Sequence, residues 1–363
     1  MRFILTLLFA LFCAPHPAAA SAPHAASAPH EFYGVIAADD PDQTELARMG
    51  TGGVGTLRIN LVWGAVESGP GAQFDWSHYD TLIGDAAAQG IRVLPTVYSS
   101  PLWAAARDNY PPSPGSLGDY AAFVEAAAAR YGSNGTFWAE NPDIPRLPVR
   151  WWQLWNEPNL QVFWLPKLSA RSYVDLLRVF SPAIRRGDPN ARVVLAGLFP
   201  GPFTPGVVGI PLARYLPAIY RQRKAKTLFD GVDLHPYANT PNLVIRDVRL
   251  CRQIMSRFKD QKTPLWLTEV GWTTGGDPSR LTVSPRRQAT YLKRTYRLLA
   301  TNRKRDRIAG AIWYSWKDLP GSVWFDHTGL FTTEFQPKPS WYAFVNLTGG
   351  SPGASPLEPP YGG

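Results

Sequence analysis

The stretch "VRWWQLWNEPNL", residues 149–160, holds the problem of this chain. A mostly apolar run that reads as a buried strand passes directly into Asn156, Glu157 and Pro158. A carboxylate at the end of such a run costs free energy unless it is paired, solvated or used. The pattern recurs at "LWLTEVGW" (265–272), where Glu269 closes a second apolar run.

Working outward, six further runs have the same character. They are "FYGVIAA" (32–38), "TLRINLVW" (56–63), "RVLPTVY" (92–98), "RVVLAGLF" (192–199), "GVDLHPY" (231–237) and "AGAIWYSW" (309–316). Amphipathic helical text separates most of them. "SHYDTLIGDAAAQG" has apolar residues at three- and four-residue spacing and stops at Gly90. "LGDYAAFVEAAAARYG" and "SYVDLLRVFSPAIRRGDP" follow the same rule. "SPRRQATYLKRTYRLLATN" opens on Ser-Pro and ends on basic residues, which suits the helix dipole. Continuously apolar strands alternating with helices predict a parallel sheet buried on both faces. Eight of them predict an α/β fold of the closed (β/α)8 TIM-barrel type, as one domain over residues 32–348. An open doubly wound sheet is the alternative, but no glycine-rich phosphate loop follows the first strand. Residues 132–147, "GSNGTFWAENPDIPRL", read as an elaborated loop before the fourth strand.

The ends of the chain read differently. Arg2, the apolar run "FILTLLFALFCA" and the small residues "AAA" predict a signal peptide over residues 1–20. Cys13 follows Phe12 rather than a small residue, so release is expected rather than a lipid anchor, and the protein is expected to be secreted. Residues 21–31 read as a disordered linker and 349–363 as a disordered tail, both rich in small residues and Pro. Only Cys251 remains after the leader, so no internal disulfide forms, and its helical context predicts a buried structural thiol.

The formal net charge is +9. The basic runs "RQRKAK" (221–226) and "NRKRDR" (302–307) lack interleaved aromatics, which argues against a nucleic-acid partner and for solvated helix faces. A metal hydrolase would need several His or Asp ligands. Three of the six His precede residue 32, leaving only His78, His235 and His327, so no metal site and no cofactor is expected.

On a (β/α)8 barrel the active groups stand at the C-terminal strand ends. Glu157 follows the fourth strand and Glu269 closes the seventh. Strands three places apart on a closed eight-stranded barrel face each other, so the two carboxylates converge from opposite sides of the mouth. Such a pair suits glycoside hydrolysis, one group donating a proton and the other attacking the anomeric carbon or activating water. Taken singly, Glu157 could be a loop acid and Glu269 a buried ion pair with Arg58.

"WNEPN" and "TEVGW" resemble the acid/base and nucleophile motifs of clan A glycoside hydrolases, families 39 and 5 above all. The resemblance runs from about residue 32 to 346 through "RINLVWGAVE", "FDWSHYD", "GIRVLPTVYSSPLWA", "DLHPYA" and "GLFTTEFQPKPSWYAF". It implies Glu157 as general acid/base and Glu269 as nucleophile. It further implies Asn156 on the sugar 2-hydroxyl, His235 beside the carboxylates, Tyr237 bonded to the nucleophile, and Arg58 keeping that nucleophile ionised. Trp316 corresponds to the sugar platform. At the third strand, where many clan members have His, this chain has "VYSSPLW". Trp103 is expected to bind substrate; Trp63, Trp164, Trp272 and Trp324 also lie at strand ends or loops, some of them expected to stack on sugar and the rest to pack. The function so implied is a retaining β-glycosidase acting on oligo- or polysaccharide. A transglycosylase would keep the same two Glu, and a glycan-binding barrel would have no need of them.

Overall fold

The computed structural model describes residues 28–37, 39–201 and 206–353. Eight parallel strands form one sheet: β1 (Tyr33–Ile36), β2 (Thr56–Leu61), β3 (Arg92–Val97), β4 (Trp151–Leu154), β5 (Arg192–Val194), β6 (Val232–Asp233), β7 (Leu265–Val270) and β8 (Ile308–Tyr314). Their order is β5-β4-β3-β2-β1-β8-β7-β6. Parallel bridges Val194↔Gly231 and Leu198↔Leu234 join β5 to β6 and close the barrel.

Helices surround the sheet: α1 (Gln43–Thr51), α2 (Trp63–Val66), α3 (Ser77–Ala88), α4 (Leu117–Tyr131), α5 (Thr136–Glu140), α6 (Ala170–Gly187), α7 (Leu212–Tyr220), α8 (Pro241–Arg257), α9 (Pro285–Asp306) and α10 (Pro339–Thr348). Local chemistry sets their ends. Asp42 and Glu45 form a reciprocal capping box at α1. Ser284 caps α9, with Pro285 at its first helical position. The chain leaves α3 through Gly90 at φ 72°. The expected loop 132–147 carries the short helix α5.

A layer of Ile36, Leu94, Val194, Trp266 and Ile312 fills the barrel interior. Trp266 fits because position 310 is glycine; a Cβ there would lie 2.6 Å from the indole. Above this layer, toward the C-terminal strand ends, the interior turns polar. β5 and β6 are shorter than the apolar runs that predict them, and past their ends His235 packs against Gly197.

The expected leader, residues 1–20, lies outside the described residues, as do residues 21–27 and 354–363 of the expected linker and tail. The linker expectation fails in its last part: Ala28 is buried, His30–Phe32 form a 3-10 turn, and Thr56 Oγ1 donates to the Glu31 carbonyl. The tail expectation fails likewise at its start, where the Pro352 carbonyl accepts from Arg48 Nη1 and Trp341 Nε1. Both pieces are short segments whose backbone carbonyls accept hydrogen bonds from barrel side chains, which composition does not reveal. Cys251 is buried in α8, and burial pushes its thiol up to about 12. Among the described residues no helix is long and apolar enough to cross a membrane.

Candidate active site

A cleft of about 540 Å³ opens at the C-terminal ends of the strands. Its floor includes Arg58, Asn156, Glu157, Tyr237 and Glu269. The backbone around "WNEPN" is held under strain: Trp155 and Glu157 sit at φ 69° and 36°, in the left-handed region. Three anchors hold it. Trp155 N–H donates to the Val97 carbonyl and its indole N–H to the Phe163 carbonyl, at 2.9 and 2.6 Å. The Leu160 N–H closes a turn on the Glu157 carbonyl. The buried Asn159 amide bonds to Phe199 and Ile210 backbone, tying this loop to the one after β5. The tryptophan and asparagine flanking Glu157 thus fix where its carboxylate stands.

Glu269 reaches the same place from β7, where the pairing with β8 slips register between Leu267 and Val270. Such an irregularity re-aims a side chain. Arg58 Nη1 donates to Glu269 Oε1 at 2.8 Å and Tyr237 Oη to Glu269 Oε2 at 2.7 Å. Arg58 Nη2 also donates to Asn156 Oδ1 at 3.1 Å. That leaves the Asn156 amide N–H₂ without a partner among the described residues, facing the cleft.

His235 lies between the two carboxylates, its Nδ1 at 2.9 Å from Glu157 Oε1 and 3.5 Å from Glu269 Oε2. Burial alone would push this imidazole down. The Glu269 charge, then the bonds to Asp233 and Glu157, outweigh burial and lift it to about 10. The surrounding carboxylates thus favour the protonated imidazole. Burial likewise pushes the Glu157 carboxyl up; the His235 bond opposes this and the Glu269 charge adds to it. Burial is the larger of the two raising causes.

Beneath the carboxylates runs a buried polar network that strand-pattern reading missed. Arg58 Nε donates to Thr96 Oγ1 and Gln153 Oε1. Gln153 Nε2 donates to Asp233 Oδ2, which also accepts from Thr268 Oγ1. His235 Nε2 lies 2.9 Å from Thr268 Oγ1, completing a chain from Arg58 to Glu157. The signal was in the sequence: Gln153, Asp233 and Thr268 are polar residues inside otherwise apolar strands, and such residues need partners.

Trp316 requires a correction. It is fully buried, donates its indole N–H to Glu45 Oε1 and packs on Phe331 and Trp341, away from the cleft. β8 ends at Tyr314, and the chain beyond it turns down toward α1 and α10. The aromatics lining the cleft here are Tyr314 and Trp324. Trp103 is also misplaced by the sequence reading: it packs edge-on to Trp63, 4.7 Å between centroids, and does not line the cleft. Trp63, Trp164 and Trp272 are buried packing residues.

Glu157, His235 and Glu269 can bring one ligand atom each within 4.8 Å of one another, a donor set of the size a metal ion takes. The chemistry does not fit one. The atoms are already engaged by protein groups: His235 bridges Glu157 and Thr268, and Glu269 is held by Arg58 and Tyr237.

Fold and site define a (β/α)8 barrel with two buried carboxyl groups meeting at its mouth. The chain matches no protein-family model and no curated protein. Solved structures do resemble it. A family 39 glycoside hydrolase from Bacteroides cellulosilyticus superposes with TM-score 0.67 and 22% identity, over 88% of this chain and 63% of that one. A monomeric β-xylosidase from Caulobacter crescentus gives 0.62 and 20%, over 89% and 69%. A family 5 enzyme from Bifidobacterium longum, in complex with Manβ1-4GlcNAc, gives 0.62 and 17%, over 87% and 77%. The chain spans less than two thirds of the first of these. The barrel is thus the one that clan A glycoside hydrolases of families 39 and 5 use.

Proposed function

We propose that the protein is a secreted retaining glycoside hydrolase that cleaves β-linked oligo- or polysaccharide by double displacement. The observation that carries this reading is the meeting of Glu157 and Glu269, with carboxylate oxygens within 4.8 Å. So close an approach of one oxygen from each favours direct attack by a carboxylate, the arrangement of retaining enzymes. The leader-like residues 1–20 support secretion.

In the first step Glu269 attacks the anomeric carbon while Glu157 gives its proton to the departing glycosidic oxygen, leaving a glycosyl ester on Glu269. In the second, Glu157, now a carboxylate, takes a proton from water; the water oxygen attacks the anomeric carbon, and Glu269 leaves. The Asn156 N–H₂ would donate to the sugar 2-hydroxyl. Burial holds the Glu157 carboxyl toward its protonated form, as the first step requires.

The test is sugar release from aryl β-glycosides of xylose, glucose, mannose and galactose and from β-linked polysaccharides, with the first-formed anomer read by proton NMR. The β anomer is expected first. An α anomer would overturn retention, and no release from any substrate would overturn the hydrolase.

The geometry makes a second expectation at Gly197. A Cβ there would lie 1.9 Å from His235 Nε2, so the imidazole can bridge Thr268 and Glu157 only if residue 197 has no side chain. Gly197→Ala should lower kcat by about 100-fold, since displacement of about 1 Å costs that much. Overpacking should also cost about 1–3 kcal/mol in thermal melts. Unchanged kcat in a folded variant would show that His235 does not position Glu157.

A further inference from the structure

The charge of the chain is unevenly spread around the barrel. Residues 28–166, which build β1 to β4, carry 7 Lys and Arg against 15 Asp and Glu. Residues 167–353, which build α6 to α10, carry 29 against 12. Successive strand–helix units are neighbours in a barrel, so one half of the outer wall is acidic and the other strongly basic. The excess is densest on α8 and α9, which hold 12 Lys and Arg and 2 acids. Both acids, Asp247 and Asp306, are buried and already paired, to Arg246 and Arg305.

Helix stability does not account for this. Cations in a last turn answer the helix dipole, which covers Arg257, Arg303, Lys304 and Arg305. Arg286 and Arg287 stand in the first turn of α9, where the dipole opposes them, and no acid accompanies them. Arg249, Arg294 and Arg297 lie within the helices and are exposed. Near the far ends of α8 and α9 from the catalytic mouth, Arg249, Arg252, Gln253, Ser256, Arg257 and Arg305 line a shallow depression of about 430 Å³. Arg252 spends its donors on the Thr263, Asp306 and Arg307 carbonyls. Arg249 and Arg257 have no hydrogen-bond or ion-pair partner among the described residues.

We infer that the outer wall formed by α6 to α9 is a binding face for a linear anionic polysaccharide, separate from the cleft. The wall is the convex side of a barrel, which a flexible polymer can follow and a flat bilayer touches only along a strip. The exposed large apolar residues of the described chain, such as Val162 and Phe325, all lie off these four helices, so nothing on the wall inserts into lipid. No exposed aromatic stands there for a nucleobase to stack on; Tyr291 is half-buried under the Arg287 guanidinium. On α8 and α9 ten of the twelve cations are Arg, whose planar fork pairs with carboxylates in two-point contacts.

The test uses the purified full chain and sodium alginate, a linear polyuronate, by titration calorimetry at low and high NaCl. Binding is expected at 50 mM NaCl and should weaken steeply toward 500 mM, as counterion release requires. Arg249→Glu/Arg257→Glu/Arg294→Glu should lower the low-salt affinity by about 100-fold. The milder triple Gln variant, chosen to keep the fold, should lower it about 10-fold, with melting temperature and turnover at the cleft unchanged. Glu269→Ala protein should bind alginate as the wild type does. Absence of wild-type binding, affinity unchanged in both folded triple variants, or loss in Glu269→Ala overturns the wall as the site. Equal or tighter binding to phosphatidylglycerol vesicles or duplex DNA overturns the polysaccharide assignment.

Discussion

Glu269→Ala is expected to lose turnover by at least about 10⁴-fold on every substrate, whereas the loss in Glu157→Ala should depend on the leaving group. The asymmetry follows from the two roles proposed for these residues. Without Glu269 no glycosyl ester forms, however easily the leaving group departs. Without Glu157 the first step loses only proton donation, which is worth about 10²–10⁴-fold and matters little for a dinitrophenolate that leaves unprotonated. The second step still lacks its base, so Glu157→Ala should release one burst of phenolate and then stall on the glycosyl-enzyme. Azide, small enough for the space that Glu157 vacates, should restart that variant and give the β-glycosyl azide. In Glu269→Ala azide should instead enter from the opposite face and give the α product. The pH profile is a further readout. Burial raises Glu157, which must be protonated for the first step, so kcat/KM should fall as pH climbs through its raised pKa. That alkaline limb should vanish in Glu157→Ala. Equal losses for all leaving groups, or a surviving alkaline limb, would remove Glu157 from the role of acid.

Much of this site can be read from strand ends, and the part that cannot has identifiable causes. Glu157 and Glu269 stand out because a carboxylate ending an apolar run is costly, and barrel geometry brings strands four and seven face to face. Arg58 stands out as a charge inside an apolar strand. Gln153, Asp233 and Thr268 share that signature but are uncharged or lie beside a more conspicuous residue, so their network shows only when partners are in place. The Trp316 error has a different origin. Tyr314 and Trp316 share strand parity, so alternation cannot tell which of them faces the mouth; the answer depends on where the β1–β8 ladder stops, which is at Tyr314. Charge asymmetry is invisible in a net figure of +9, which sums an acidic half-wall and a basic one.

Arg58→Met should be the most destabilising single change in the barrel. The guanidinium is buried and serves four side chains from three other strands and the loop after β4: Thr96, Gln153, Asn156 and Glu269. Methionine fills similar volume, so little of the loss comes from packing. The loss comes from Glu269, left buried with its cation gone, and removal of one partner from a buried pair costs about 3–5 kcal/mol. For a barrel of this size that corresponds to a melting-temperature drop of about 10 °C. Lysine should not rescue it, because a single ammonium cannot reach Glu269, Asn156 and Gln153 together. A double-mutant cycle separates the ion pair from the rest of the network. Arg58→Met/Glu269→Gln removes both charges, so it should regain most of the stability lost in Arg58→Met while staying inactive. If the double variant is no more stable than Arg58→Met, the cost lies with Gln153 and Thr96 rather than with the nucleophile. The ion pair would then be a minor part of what holds the site. If stability returns, the ion pair with Glu269 is the main contribution of Arg58 to the fold.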